Sequence, residues 1–204
     1  WFPIVEAINR GNGLMALINA RATAYTFGTA GNDIIDATYL LGDLIDGGDG
    51  NDVITGLDGP DGLVGGNGND TLFGMGGNDL LDGGAGRDDL FGGDGDDVFR
   101  PDSGKIGNDY IDGGDGIDML DYLNSGARRG VVVDLGLTGA QATRGAGTDT
   151  ILNIENVTGT SFGDHITGSA ADNMLIGGFG DDTLNGGAGD DTLIGGTDND
   201  TVNG

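Results

Sequence analysis

The sequence predicts an all-β solenoid, with short strands stacked coil upon coil and a short helical cap at the N-terminal end. Two observations predict it. A nine-residue unit, Gly-Gly-x-Gly-x-Asp-x-U-x with U a large apolar residue, runs without a gap six times from Gly47 to Arg100. It returns as a second gapless block from Gly159 to Asn203. The U positions are Ile54, Leu63, Leu72, Leu81, Leu90, Phe99, Ile111 and Leu120, then Ile166, Leu175, Leu184, Leu193 and Val202, every one apolar.

Each unit divides into a six-residue turn and a three-residue strand. Side chains alternate along a strand, so only U of x-U-x faces inward. Three glycines in six residues permit positive φ and leave backbone carbonyls uncrowded. The sixth-position Asp adds a carboxylate. A repeat of this form is a calcium-binding β-helix repeat, and the chemistry agrees. Calcium takes six to eight oxygens at about 2.3–2.6 Å, from carboxylates and carbonyls. One turn holds too few, so an ion must be shared between stacked turns. With two units per coil, the turns of Asp52, Asp70 and Asp88 line one edge, and those of Asp61, Asp79 and Asp97 the other.

These residues resemble the RTX (repeats-in-toxin) family of secreted bacterial proteins over about residues 28–204. The resemblance implies a right-handed parallel β-roll with calcium between turns. It implies that the carbonyls of the second and fourth turn residues and the sixth-position Asp supply half of each site. Carried over, these are Gly48, Gly50 and Asp52; Gly66, Gly68 and Asp70; Gly77 and Asp79; and Gly84, Gly86 and Asp88. Gly93, Gly95 and Asp97, then Gly114, Gly116 and Asp118, complete the first block. Gly178, Gly180 and Asp182, then Gly187, Gly189 and Asp191, belong to the second. Asp33, Asp61, Asp109, Asp149, Asp164 and Asp200 are implied as ligands from less regular turns. The resemblance further implies export, unfolded, through a type I secretion channel. Folding on external calcium, at the cell surface or beyond it, would then stabilise an attached domain.

Departures from the pattern bear on individual sites. Asn173 replaces the sixth-position Asp, and Ser169-Ala170-Ala171 replaces the glycines, which predicts a weak or absent site. Gly56-Leu57-Asp58-Gly59-Pro60-Asp61 loses one glycine and one backbone donor. Leu41-Gly42-Asp43-Leu44-Ile45 is a stretched copy, and Thr160-Ser161-Phe162-Gly163-Asp164 keeps only the Asp.

Composition sets limits. The chain has 204 residues, 46 of them Gly, with 34 acids against 8 bases and a formal net charge of −26. High charge with low hydrophobicity is a disorder signature. About a dozen calcium ions would roughly cancel the charge, and folding free energy would then be largely metal-binding free energy. The acidity argues against nucleic acid, whose phosphates need Lys and Arg. No stretch of about 20 apolar residues exists to span a membrane as a helix. There is no Cys, and so no disulfide frame. No signal peptide is evident in Trp1-Phe2-Pro3-Ile4-Val5-Glu6. The absence of an initial Met and the half-started repeat at Gly204 suggest a piece of a longer protein.

Four segments follow. Residues 1–27 are read as the cap or the tail of an upstream domain, with Leu14, Met15, Leu17, Ile18 and Ala22 on one helical face that ends near Tyr25-Thr26-Phe27. Residues 28–121 form the first repeat block, interrupted by Pro101-Asp102-Ser103. Residues 122–158 form an insertion with a strand at Gly130–Leu135 and a partial repeat at Gly145–Leu152, expected to continue the same stack in longer rungs, with a ligand-binding elaboration as the alternative. Residues 159–204 form the second block.

Catalytic constellations are missing. The one histidine, His165, stands at an outward seventh position, and one His cannot build a His-Glu-x-x-His zinc site. No Gly-x-Ser-x-Gly elbow occurs. Carboxylate pairs such as Asp96-Asp97 and Asp181-Asp182 are turn and ligand positions, where calcium would hold the carboxylates ionised. Arg128-Arg129 reads as a solvated loop. Tyr110, Tyr122 and Phe91 are candidates for an outward patch. The expected function is a non-catalytic calcium-binding module. The alternatives are an adhesion or surface-layer segment, and part of a secreted protease, lipase, peroxidase or epimerase with its catalytic domain upstream.

Overall fold

The structure, a computed structural model, describes residues 25–37, 42–101, 107–123, 128–143 and 146–204, with the backbone of Leu14–Met15. Among these residues every regular element is a strand, and the architecture is a parallel β-solenoid.

Alternate strands fall into two opposed sheets because each nonapeptide turns the chain halfway round. One sheet holds, in spatial order, Leu14–Met15, Asp33–Asp36, Val53–Thr55, Thr71–Gly76, Asp89–Asp94, Tyr110–Asp115, Thr148–Leu152 and Gln141–Ala142. The second holds Tyr25–Phe27, Leu44–Asp49, Gly62–Asn67, Leu80–Ala85, Val98–Arg100, Met119–Asp121, Asn156–Thr158, Met174–Phe179 and Thr192–Thr197. A third holds Val132–Asp134, His165–Thr167, Thr183–Asn185 and Thr201–Asn203. Neighbours are parallel except Gln141–Ala142, which runs antiparallel to Thr148–Leu152.

Register follows the repeat. Ile54 sits opposite Leu72, and Leu63 opposite Leu81, so two units make one coil. The Pro101–Ser103 insertion adds three residues to one coil, yet Phe99 still meets Leu120. The inward column therefore stays in line across the added residues. That column is the core. Ile54, Leu63, Leu72, Leu81, Leu90, Phe99, Ile111, Leu120, Ile166, Leu175 and Leu184 are all 0% exposed. Leu193 is only partly buried and Val202 is exposed, at the outer face of the last described coil.

Residues 122–158 join the blocks through one sheet and separate them in the other. Val157 pairs with Leu120 on one side and Leu175 on the other, so the second sheet passes through both blocks unbroken. On the opposite face, Gln141–Ala142 closes the first sheet and Val132–Asp134 opens the third. The expected strand within Gly130–Leu135 is Val132–Asp134, and the partial repeat yields Thr148–Leu152.

Two sequence expectations need correction. The helical cap is not supported. Leu14–Met15 is a short strand paired with Asp33–Ile34, and Tyr25–Phe27 is a strand of the second sheet. The rest of that segment, with Leu17, Ile18 and Ala22, lies outside the described residues. A parallel neighbour that pairs its backbone outweighs weak helical patterning. Tyr122 is fully buried instead of belonging to an outward patch. Its N–H donates to the Thr158 carbonyl, which turns it in under the insertion. The other two aromatics do meet outside the first sheet: Phe91 stacks on Phe73 at 5.0 Å and lies tilted against Tyr110 at 5.5 Å.

Glycine is required where a turn meets its neighbour. Gly66 and Gly68 have φ of 107° and 151°, and a Cβ on Gly68 would lie 1.5 Å from the Gly50 carbonyl oxygen. Met75 occupies the same second turn position with φ 80°. A left-handed L-residue costs about 1–2 kcal/mol. Met75→Gly should therefore raise stability by about 1 kcal/mol, as measured by urea unfolding. Leu81→Ala, in the middle of the column, should cost about 2–5 kcal/mol in the same assay.

Candidate metal centres

Turns stack at the same spacing as the strands, which brings sixth-position carboxylates into columns. Each Asp backbone N–H donates to the Oδ1 of the Asp one coil further on. Asp33 donates to Asp52, Asp52 to Asp70, Asp70 to Asp88, Asp88 to Asp109 and Asp109 to Asp149, at 2.8–2.9 Å. On the opposite edge Asp43 donates to Asp61, Asp61 to Asp79, Asp79 to Asp97 and Asp97 to Asp118. In the second block Asp164 donates to Asp182 and Asp182 to Asp200, while Asn173 donates to Asp191. Thus every sequence-predicted aspartate lies in a column. All are buried except Asp191 and Asp200, in the last coil, which are half-buried.

A second ladder runs beside the first with opposite polarity. Fifth-position N–H groups donate backwards, to the side-chain oxygen of the preceding coil. Asn51 donates to Asn32, Asn69 to Asn51 and Arg87 to Asn69. Asp96 donates to Asn78, Ile117 to Asp96 and Thr148 to Asn108. The fifth residue therefore has a structural function that the nonapeptide formula, which writes it as x, conceals.

The Oδ2 oxygens divide the turns into two kinds. In Asp52, Asp70, Asp79, Asp88, Asp97, Asp118 and Asp182 this atom is buried and has no hydrogen-bond partner. In the irregular turns a local donor holds it. Thr29 N–H and hydroxyl bind Asp33, Leu57 N–H binds Asp61, and Thr160 N–H binds Asp164. The Thr143 hydroxyl binds Asp149. Asn173 closes its own turn: Oδ1 accepts the Ser169 N–H, and Nδ2 donates to the Glu155 carbonyl at 2.7 Å.

The open turns form an oxygen cradle. A Cβ on Gly65 would lie 2.5 Å from both Asp70 Oδ2 and the Gly83 carbonyl oxygen of the next coil. That separation is the span of a calcium–oxygen contact. The Gly48 and Gly50 carbonyls press against Gly66 and Gly68 of the coil above, and those of Gly66 and Gly68 against Gly84 and Gly86. Gly77 likewise faces Gly95, and Gly95 faces Gly116; Gly93 faces Gly114. In the second block Gly178 faces Gly196, while Gly180, Gly187 and Gly189 receive the backbone of residues 162–171. Among the described residues no three carboxylate, His or Cys side chains converge on one point. The donor set is instead one carboxylate oxygen per turn plus backbone carbonyls, a hard-oxygen set that fits calcium.

The electrostatics leave the cradles short of positive charge. The ion pairs Arg87–Asp89 and Arg100–Asp121 fall outside the columns. Burial, opposed by the hydrogen bond from the neighbouring coil and reinforced by adjacent carboxylates, raises Asp70, Asp79, Asp118 and Asp182 to about 6, and Asp88 and Asp97 to about 7. Burial likewise raises Asp149 to about 6, against bonds from Asp109 and Thr143. Asp52, Asp61 and Asp164 move upward for the same first reason.

Two site residues escaped the sequence reading. Asp43 is buried with Oδ2 unpartnered, and Glu155 accepts the Asp118 N–H where a repeat would place Asp. Both stand two residues before an inward apolar residue, Ile45 and Val157, which is the signal that could have found them. His165, by contrast, is exposed as expected.

A parallel β-solenoid with carboxylate columns between glycine turns is the architecture of a calcium-binding repeat protein. The family model of the RTX calcium-binding nonapeptide repeat (4 copies) matches residues 42–63, 64–99, 103–122, 158–193 and 176–204. The chain belongs to that family, and its repeats bind calcium. No curated protein matches it at significant similarity.

Acid should substitute partly for the metal. The buried carboxyls titrate above their unfolded value of 3.8, so between about pH 4 and 7 the metal-free coil binds more protons than the unfolded chain. Its stability therefore rises as pH falls through this window and is lost as pH rises through the folded values. Far-UV circular dichroism of chelator-treated protein should gain β signal from pH 7 toward pH 4. Apparent calcium affinity should fall over the same range.

Proposed function

We propose that this chain is an extracellular folding switch: a secreted bacterial calcium module that stays unfolded at low calcium and closes into a right-handed β-roll when calcium is plentiful. The observation that carries this reading is the column of buried carboxylates whose Oδ2 atoms have neither a donor nor a counter-cation. Without metal, burying such charges opposes folding. With calcium shared between coils, each ion neutralises charge and joins two turns, so binding one favours binding the next.

The ligands in this proposal are the open-turn aspartates Asp52, Asp70, Asp79, Asp88, Asp97, Asp118 and Asp182, with carbonyls of the glycines stacked against them. The turns of Asp33, Asp61, Asp149, Asp164 and Asn173 bind more weakly, because protein donors already compete for their oxygens. Residues 28–121 and 159–204 act as two repeat blocks and 122–158 as their joint. Export in the unfolded state through a type I channel, followed by folding that stabilises an attached domain, agrees with a chain that has no Cys and a net charge of −26.

Calcium titration of chelator-stripped protein, followed by far-UV circular dichroism with magnesium as control, should give a cooperative coil-to-β transition with calcium alone. An equal response to magnesium would overturn the proposal. Magnesium demands near-ideal octahedral geometry and dehydrates reluctantly, so these carbonyl cradles should reject it. Replacing Asp70 and Asp88 by Ala should lower both the number of ions bound and the steepness of the transition, as read by equilibrium dialysis and the same titration. Unchanged stoichiometry would remove the ligand assignment.

A further inference from the structure

The family match leaves residues 123–157 uncovered, yet the carboxylate column does not stop at Asp118. The Asp118 N–H donates to Glu155 Oε2 at 2.9 Å, as the Asp97 N–H donates to Asp118 Oδ1 at 2.7 Å one coil below. Asp118 itself is 0% exposed and its Oδ2 has no hydrogen-bond partner. That oxygen faces the carbonyl of Asn153: a Cβ on Gly113 would lie 2.4 Å from Asp118 Oδ2 and 2.0 Å from the Asn153 oxygen. In the regular turns a glycine carbonyl of the next coil fills this role, as Gly83 does beside Asp70.

Asn153 delivers its carbonyl without the usual glycine. Its backbone takes the left-handed conformation, φ 52°, and its side-chain Nδ2 donates to Asp112 Oδ1 at 2.7 Å. Asparagine tolerates that conformation better than most residues. The insertion thus rebuilds the oxygen set of a repeat turn from Asn153 and Glu155.

We propose that Asp118, the last repeat aspartate of the first block, forms a calcium site with Asn153 and Glu155, which lie outside the nonapeptide repeats, and that this site joins the two blocks. This inference rests on the calcium reading above. Its location gives it a coupling function. Glu155 immediately precedes the strand Asn156–Thr158, the rung between Met119–Asp121 and Met174–Phe179 that carries the second sheet from one block into the next. On the far side of that rung, the Asn173 amide bonds to the Glu155 carbonyl and needs no ion. Calcium at the near side then makes folding of the second block depend on loading of the first.

The test uses the full chain, Glu155→Gln, and Asp70→Asn as a control in the regular column. Calcium stoichiometry is measured by equilibrium dialysis, and chelator-induced unfolding by circular dichroism. Glu155→Gln should bind one ion fewer than the parent and unfold in two transitions instead of one. If Glu155→Gln binds the parental number while Asp70→Asn binds fewer, the junction site is wrong and the calcium reading stands. If neither variant binds fewer, both fall. Should Glu155→Gln fail to fold at the calcium concentration that folds the parent, recovery at several-fold higher calcium supports the site. A defect that no calcium concentration repairs, and that Glu155→Asp shares equally, overturns it.

Discussion

The solenoid depends on one unfavourable interaction, the burial of aspartate columns with no positive side chain beside them. In an ordinary domain such carboxylates would be paired or absent. Here they sit one per turn, bonded through Oδ1 to the coil below, with Oδ2 turned toward carbonyl oxygen. Every feature that brings oxygens together in the turns makes the metal-free coil less stable and the loaded coil more so. The apolar column supplies the shape, and in the proposed switch the metal decides whether the shape forms.

Two hydrogen-bond ladders fix the turns independently of metal. The sixth-position ladder points one way along the stack and the fifth-position ladder the other. Opposed polarity locks the register of adjacent turns, since a slip would break both sets. This explains how glycine-rich turns hold carbonyls in line. Glycine gives the conformation, and the polar fifth and sixth residues select it.

Irregular turns show the same physics by substitution. Where Thr29, Leu57, Thr160 or Ser169 stands in second position, its N–H binds the sixth-position side chain directly. In these turns a local hydrogen bond holds an oxygen that stays open in the regular ones. They occur among the early turns of the first block and in the first two turns of the second.

The period, the inward apolar residues and the aspartate edges were legible in the sequence, because stacking two nine-residue units per coil leaves no other place for them. Leu63, Leu81 and Phe99 had to form one column once their spacing was known. The sequence did not reveal the fate of Tyr122, which reads as an exposed aromatic and is buried by the return of residues 156–158. Nor did it reveal that the insertion keeps one sheet and exchanges the other, since that depends on pairings between strands about 40 residues apart in the chain, such as Ile111 with Ile151. The helical pattern near Leu14 gave way to strand pairing for the same reason. Local spacing determined the coil and its carboxylate edges. Only the tertiary structure decided which oxygens are already satisfied by protein and which are left for the metal, because that depends on contacts from the next coil.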